Sequence, residues 1–145
     1  MSHPPSLNGQ VIGQAEHATR AVLDRLLAGA GVDFHDWVAL NLTATADAPL
    51  GRTRLADRMA GALKIDDGIA LATIDGLTDA GLLTVGAGTV ALTDAGRARY
   101  ADIRAALDEV TARLYGDLPA ADLSTAGRVL ATVTARANAE LTRAA

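Results

Sequence analysis

The sequence predicts a mainly α-helical fold with one short β-hairpin wing and long helices at both ends. Three observations carry that prediction. Alanine and leucine dominate a chain of 145 residues in which half the positions are hydrophobic and only 3% aromatic, a composition that favours helix strongly. Apolar residues recur three or four apart over most of the length, the spacing that lines one face of a helix. That spacing gives way once, at Leu82-Leu83-Thr84-Val85 and Thr89-Val90-Ala91-Leu92, to two β-rich runs joined by Gly86-Ala87-Gly88.

In chain order, residues 1–9 hold two prolines and a glycine and are expected to be a flexible tail. A first helix is predicted over 11–28, with Val11 or Ile12, Ala15, Ala18, Val22 and Leu26 as its stripe and Leu23 and Leu27 widening it. Asp33 is placed to cap a second, over about 34–46, which carries the only Phe and the only Trp, Phe34 and Trp37. After a loop with Pro49, and a minimal strand near 50–52, Leu55, Ala56, Met59 and Leu63 give a third helix its inward face. Asp66 or Asp67 can cap a fourth, packed through Ile69 or Ala70, Thr73, Ile74 and Leu77 and stopped by Gly81. The hairpin follows, with its turn at Gly86-Ala87-Gly88, and Thr93 caps a long helix over about 94–115 whose stripe is Tyr100, Ile103, Leu107, Val110 and Leu114. Residues 116–119 break it, and a last helix repeats Leu123, Ala126, Leu130, Val133, Ala137 and Leu141. Two short helices, a hairpin and a helix in succession are the pattern of a winged helix-turn-helix.

TDAGLL at 78–83, ALTDAGRA at 91–98 and LADRM at 55–59, with AGVDFHDWVAL at 30–40 before them, resemble the MarR family of bacterial transcription regulators. The resemblance extends from about residue 10 to the end. It implies one MarR-like domain over 10–145, with a winged core over about 33–96 and dimerisation helices over about 10–28 and 97–145. It also implies a homodimer that binds double-stranded DNA, recognition helix in the major groove and wing in the minor groove, released by a small aromatic effector held between the dimer helices and the DNA-binding lobe. The wing is shorter than the family's and lacks its Asp-x-Arg, and the connection after LADRM is longer.

Charge bears on that expectation. The chain has a net charge of −4, which argues against a generally polybasic nucleic-acid or membrane binder. Between Lys64 and Leu92 one lysine faces Asp66, Asp67, Asp75 and Asp79, a net charge of −3, and residues 84–89 carry no charge. Phosphate contacts therefore fall to flanking cations: Arg52, Arg54, Arg58 and Lys64 before the recognition helix and Arg97 after the wing, with Arg99 beside it. Asp67 and Thr73 lie nearest the bases, and Asp67 could accept from cytosine N4. The opposing reading pairs these arginines with Asp57 and Asp94 and leaves a dimer that has lost DNA binding and acts as a small-molecule or protein-binding module.

For an effector the candidates are His17, Phe34, Trp37 and Tyr100, with core packing the default for the single Trp. No enzyme is expected: the serines Ser2, Ser6 and Ser124 sit in no strained elbow, the glycines form no phosphate loop, and Asp33, His35 and Asp36 do not share one helix face as a metal site would require. No cofactor is implied. The absence of cysteine excludes disulfides and thiol sensing. Without a secretory signal or an apolar run of ~20 residues, a cytoplasmic protein is expected.

Overall fold

The computed structural model describes residues 5–143. Residues 1–4 of the expected tail and the last two residues of the chain lie outside it. The order is α1 (Gly9–Gly29), α2 (Phe34–Thr45), β1 (Leu50–Gly51), α3 (Arg52–Leu63), α4 (Asp67–Asp79), β2 (Leu83–Gly86), β3 (Thr89–Leu92), α5 (Asp94–Tyr115) and α6 (Ala120–Thr142). This is a mainly helical winged helix-turn-helix, as its sequence pattern predicts. The chain divides into two compact units, residues 1–107 and 108–145, with the division inside α5.

Capping sets the helix boundaries of the first unit. α1 starts earlier than its apolar stripe because the Asn8 side chain accepts from the Val11 N–H at 2.9 Å. α2 opens on a capping box of two aspartates: Asp33 Oδ1 accepts from the Asp36 N–H and Asp36 Oδ2 accepts from the Asp33 N–H. Thr93 Oγ1 accepts from the Gly96 N–H at the start of α5 and donates to the Gly81 carbonyl, so one hydroxyl fastens the end of α4 to the beginning of α5.

Two sequence expectations need correction. Asp66 does occupy the N-cap of α4, but its side chain accepts no bond there; the first turn holds instead through backbone bonds from Ile69 and Ala70 to the Asp66 carbonyl. The wing turn is the two-residue Ala87-Gly88 rather than Gly86-Ala87-Gly88, since Gly86 pairs with Thr89 as the last rung of the ladder. Both turn residues have positive φ, 53° and 79°, the backbone a tight hairpin needs to follow the strand twist.

The sheet runs β1-β3-β2, antiparallel throughout, with Leu50 opposite Val90 and Val85 opposite Val90 on the other side. Leu27, Leu40, Leu55, Met59, Ile74, Leu83 and Ile103 are fully buried and form the core of this unit, one side chain or more from each of α1 to α5 plus the wing. Ala70, Ile74 and Leu77 seat α4 against it, whereas Ile69, the alternative inward position, is exposed. At Gly96 the helix α5 passes so close to the Leu82 carbonyl that only a residue without Cβ fits.

The second unit is the end of α5 and the whole of α6. None of the residues of α6 is buried, and Leu123, Val129, Leu130, Val133 and Leu141 are all exposed.

Candidate nucleic-acid interface

The helix-turn-helix is α3, α4 and the tight turn between them. Lys64 ends α3 in the left-handed conformation, φ 57°, with its N–H on the Ala60 carbonyl and its Nζ donating to the Gly61 carbonyl at 2.7 Å. The chain then reverses through Ile65 into α4. With Ala70, Ile74 and Leu77 turned inward, the exposed residues are Asp67, Gly68, Ile69, Ala72, Asp75, Gly76 and Asp79. Of these only the three aspartates carry polar side chains and only Ile69 is large, so the outer face of α4 is acidic and otherwise mostly small.

Each predicted phosphate contact has a definite place. Arg52, the first residue of α3, donates Nε–H to Asp75 Oδ1 (3.0 Å) and Nη2–H to Asp75 Oδ2 (2.8 Å), a bidentate pair that joins the start of α3 to the middle of α4. The bonds hold the Asp75 carboxyl below the usual carboxylate range and raise the Arg52 guanidinium further. Arg97 pairs with Asp94 and donates Nη1–H to the Leu92 carbonyl at 3.0 Å, bracing the base of the wing. Arg99 is half-buried and caps the end of α1 through the Ala30 carbonyl at 2.8 Å. Arg54 and Arg58 make no ion pair among the described residues and line a groove of about 510 Å³ with Asp47, Pro49 and Leu50. Asp67 is exposed in the first turn of α4, and the Thr73 hydroxyl donates to the Ile69 carbonyl at 3.0 Å. The wing presents Val85, 42% exposed, and no charge.

The four effector candidates fall in three places. Trp37 is buried and stacks on Tyr100, ring centroids 5.2 Å apart and planes 15° from parallel. The Tyr100 hydroxyl donates to Asn41 Oδ1 at 2.8 Å, satisfying both groups where they are half-buried. Phe34 lies under the Arg20 guanidinium, 3.5 Å from the ring centroid, beside a cavity of about 340 Å³ lined also by Asp24, Val32 and His35. His17 is solvent-exposed, with Nδ1 2.6 Å from the Gly13 carbonyl one turn back. Trp37 and Tyr100 thus come together, and Phe34 and His17 stand apart from them.

Sequence reasoning missed Asp75 as the partner of Arg52, Arg20 as the lid on Phe34, and Asn41. The first two had no local signal, because Arg52 and Asp75 are 23 residues apart in the chain. Asn41 had one: it follows Trp37 by one helical turn on α2 and so faces the same neighbour.

No protein family model matches the sequence, and no curated protein matches it. Solved structures do match. They include a MarR family regulator from Silicibacter pomeroyi (21% identity, 88% of this chain and 90% of that one, TM-score 0.68). CouR from Rhodococcus jostii RHA1, solved with p-coumaroyl-CoA, aligns at 17% identity over 86% and 90% of the two chains with a TM-score of 0.73. The MarR family protein Rv2887 of Mycobacterium tuberculosis, solved with DNA, aligns at 19% identity over 89% and 98% with a TM-score of 0.68. At such identities the likeness is one of fold: the chain is built as a MarR-type winged helix-turn-helix.

Proposed function

We propose that this chain, folded as MarR-type regulators are, is a homodimeric transcriptional regulator that binds operator DNA and is released by a small aromatic effector. The observation that carries the reading is a recognition helix whose outer face is uncovered, in a unit that also holds a two-stranded wing and two exposed arginines, Arg54 and Arg58, with no ion pair among the described residues. One neighbour of the same fold, Rv2887, was solved on DNA and also with p-aminosalicylic acid and with salicylic acid, which supports the same two partners here. Arg54 and Arg58 are the residues best free to meet phosphates. Lys64 and Arg97 contribute from either side, Arg52 stands at the same edge, and Asp67 and Thr73 are the nearest side chains to the bases. The dimer forms through α1 and α6; the apolar stripe of α6 is largely uncovered, and that of α1 is uncovered at Ala15 and Ala18. An effector acts near Trp37, Tyr100, Phe34 and His17 by favouring one separation of the two recognition helices. Such a protein works in the cytoplasm, where its DNA is, and does no catalysis. Among the described residues no helix is long and apolar enough to cross a membrane, and no cluster of metal-binding side chains occurs.

A second reading has an observation of its own. Asp75 and Asp79 on the outer face of α4, with Asp66 and Asp67 at its start, place carboxylates where phosphates would approach. It supports a dimer of the same fold that binds a small molecule or a protein instead. A gel shift against the DNA flanking the chain's own gene, repeated over a range of salt, decides between them. Specific binding that weakens steeply with salt is the expected result; no shift even at low salt overturns the regulator and leaves the binding module. A ligand that shifts Trp37 emission without altering DNA affinity overturns the effector assignment alone.

A further inference from the structure

We infer that the Arg52–Asp75 pair is a latch that tunes DNA affinity: Asp75 withholds from the phosphates the cation at the start of α3. This rests on the DNA-binding reading above. The guanidinium uses two of its N–H groups on both carboxylate oxygens, the geometry in which an arginine is most fully committed to one partner. Both side chains are partly exposed, 38% and 56%, so a competing anion can reach them. Arg52 begins the helix that, in a helix-turn-helix, crosses the DNA backbone, and Asp75 lies on the outward face of the helix that enters the groove.

If Arg52 turned to a phosphate, it would leave Asp75 as a bare carboxylate facing the polyanion. The exchange trades one charge-assisted bond for another and adds a repulsion, so the latch stays closed. The protein then meets DNA with one cation fewer than its sequence suggests. Asp79 supplies the internal control, because it sits one turn further along the same face with no partner among the described residues. Removing Asp79 changes net charge only. Removing Asp75 changes net charge equally and also releases Arg52.

The test compares the full-length wild type, Asp75→Asn, Asp79→Asn and Asp75→Asn/Arg52→Gln on one duplex containing the flanking DNA, titrated between low and moderate salt. Thermal melts of each variant establish that it is folded. Asp79→Asn is expected to tighten binding by about threefold with the salt slope unchanged, as a screened neighbouring charge should. Asp75→Asn is expected to tighten it about tenfold and to steepen the slope by about 0.9 per protomer, one added phosphate contact. That surplus should vanish when Arg52→Gln is added. Equal gains from Asp75→Asn and Asp79→Asn, or a surplus that survives Arg52→Gln, overturn the latch and leave the DNA reading standing. No binding by any of the four at low salt overturns the DNA reading and the latch with it.

Discussion

A single missing Cβ decides whether the wing can dock. Gly96 lies in the first turn of α5, where the helix backbone meets the carbonyl oxygen of Leu82 just before β2; a Cβ built there would overlap that oxygen. The obstacle is backbone on both sides, and the Thr93 hydroxyl bonds to Gly81 and Gly96 hold the two segments at that distance. Neither can retreat without breaking them. Gly96→Ala is therefore expected to destabilise the fold by about 3 kcal/mol, at the upper end of the overpacking range. Gly61 in α3 is the contrast, since nothing lies within 4 Å of a Cβ added there. Gly61→Ala should gain about 0.5–1 kcal/mol from helix propensity alone. Urea melts of the two variants against the wild type check both signs at once. Residue-level reading of the sequence succeeded where the cause was local. Asp33 and Thr93 as caps, and Gly81 as a stop with φ 79°, all stand where the spacing put them. It stopped at Arg52, whose partner is supplied by the α3–α4 packing and not by any neighbour in sequence.

Among the elements, α2 carries the most informative end. Its capping box uses aspartate at both positions, so two carboxylates share one helix start. Burial pushes the Asp36 carboxyl above its ordinary value, with the Asp33 charge adding to the rise and the backbone bond from Asp33 opposing it. A carboxyl whose pKa is raised in the folded state binds its proton more tightly there than when unfolded, so its contribution to stability declines as pH rises from the ordinary value of 3.8 through the folded one. At neutral pH the charge on Asp36 costs stability while its Oδ2 acceptor contributes. Asp36→Asn keeps an acceptor and removes the charge, so it should be neutral or stabilising at pH 7 and lose that advantage near pH 4. Asp33→Ala removes the cap itself and should cost about 1 kcal/mol at pH 7. Denaturant melts at the two pH values separate the effects; a larger loss from Asp36→Asn than from Asp33→Ala would contradict this account of the box. Element types were legible because periodicity and turn residues agree along the chain. The ends of elements were less so. Asn8 extends α1 beyond its apolar stripe, and Asp66, a good capping residue in the capping position, makes no side-chain bond because backbone donors already close that turn.

At the scale of the whole molecule the outstanding fact is α6, a helix of 23 residues with none of them buried. Most helix stability in proteins comes from packing an apolar face, and α6 buries none of its own. The stripe read in the sequence is present on it: Leu123, Leu130 and Val133 share one side and are each roughly two-fifths exposed. Burying such a side chain completely contributes about 1.5–3 kcal/mol. With about two-fifths of that left to gain on each, these side chains from two copies of α6 would contribute about 4–7 kcal/mol, which meets only the lower part of an association cost of about 4–15 kcal/mol. On α1 only Leu27 is fully buried, while Ala15 and Ala18 of its expected stripe are exposed. The stripes themselves were plain in the sequence; what covers them was not, because periodicity specifies a face and is silent about its occupant. Charges placed in the middle of the face provide the test. Leu130→Glu with Val133→Glu should convert a dimer into monomers in sedimentation velocity at micromolar concentration and lower the helical signal, since α6 then has no partner to order it. The winged unit should melt nearly as before, because its core of Leu27, Leu40, Leu55, Met59 and Ile74 is untouched. Binding to a two-half-site duplex should fall steeply in parallel, as two linked reading heads become two separate ones. A wild type that sediments as a fully helical monomer would overturn the dimer and the bivalent mode of DNA binding together.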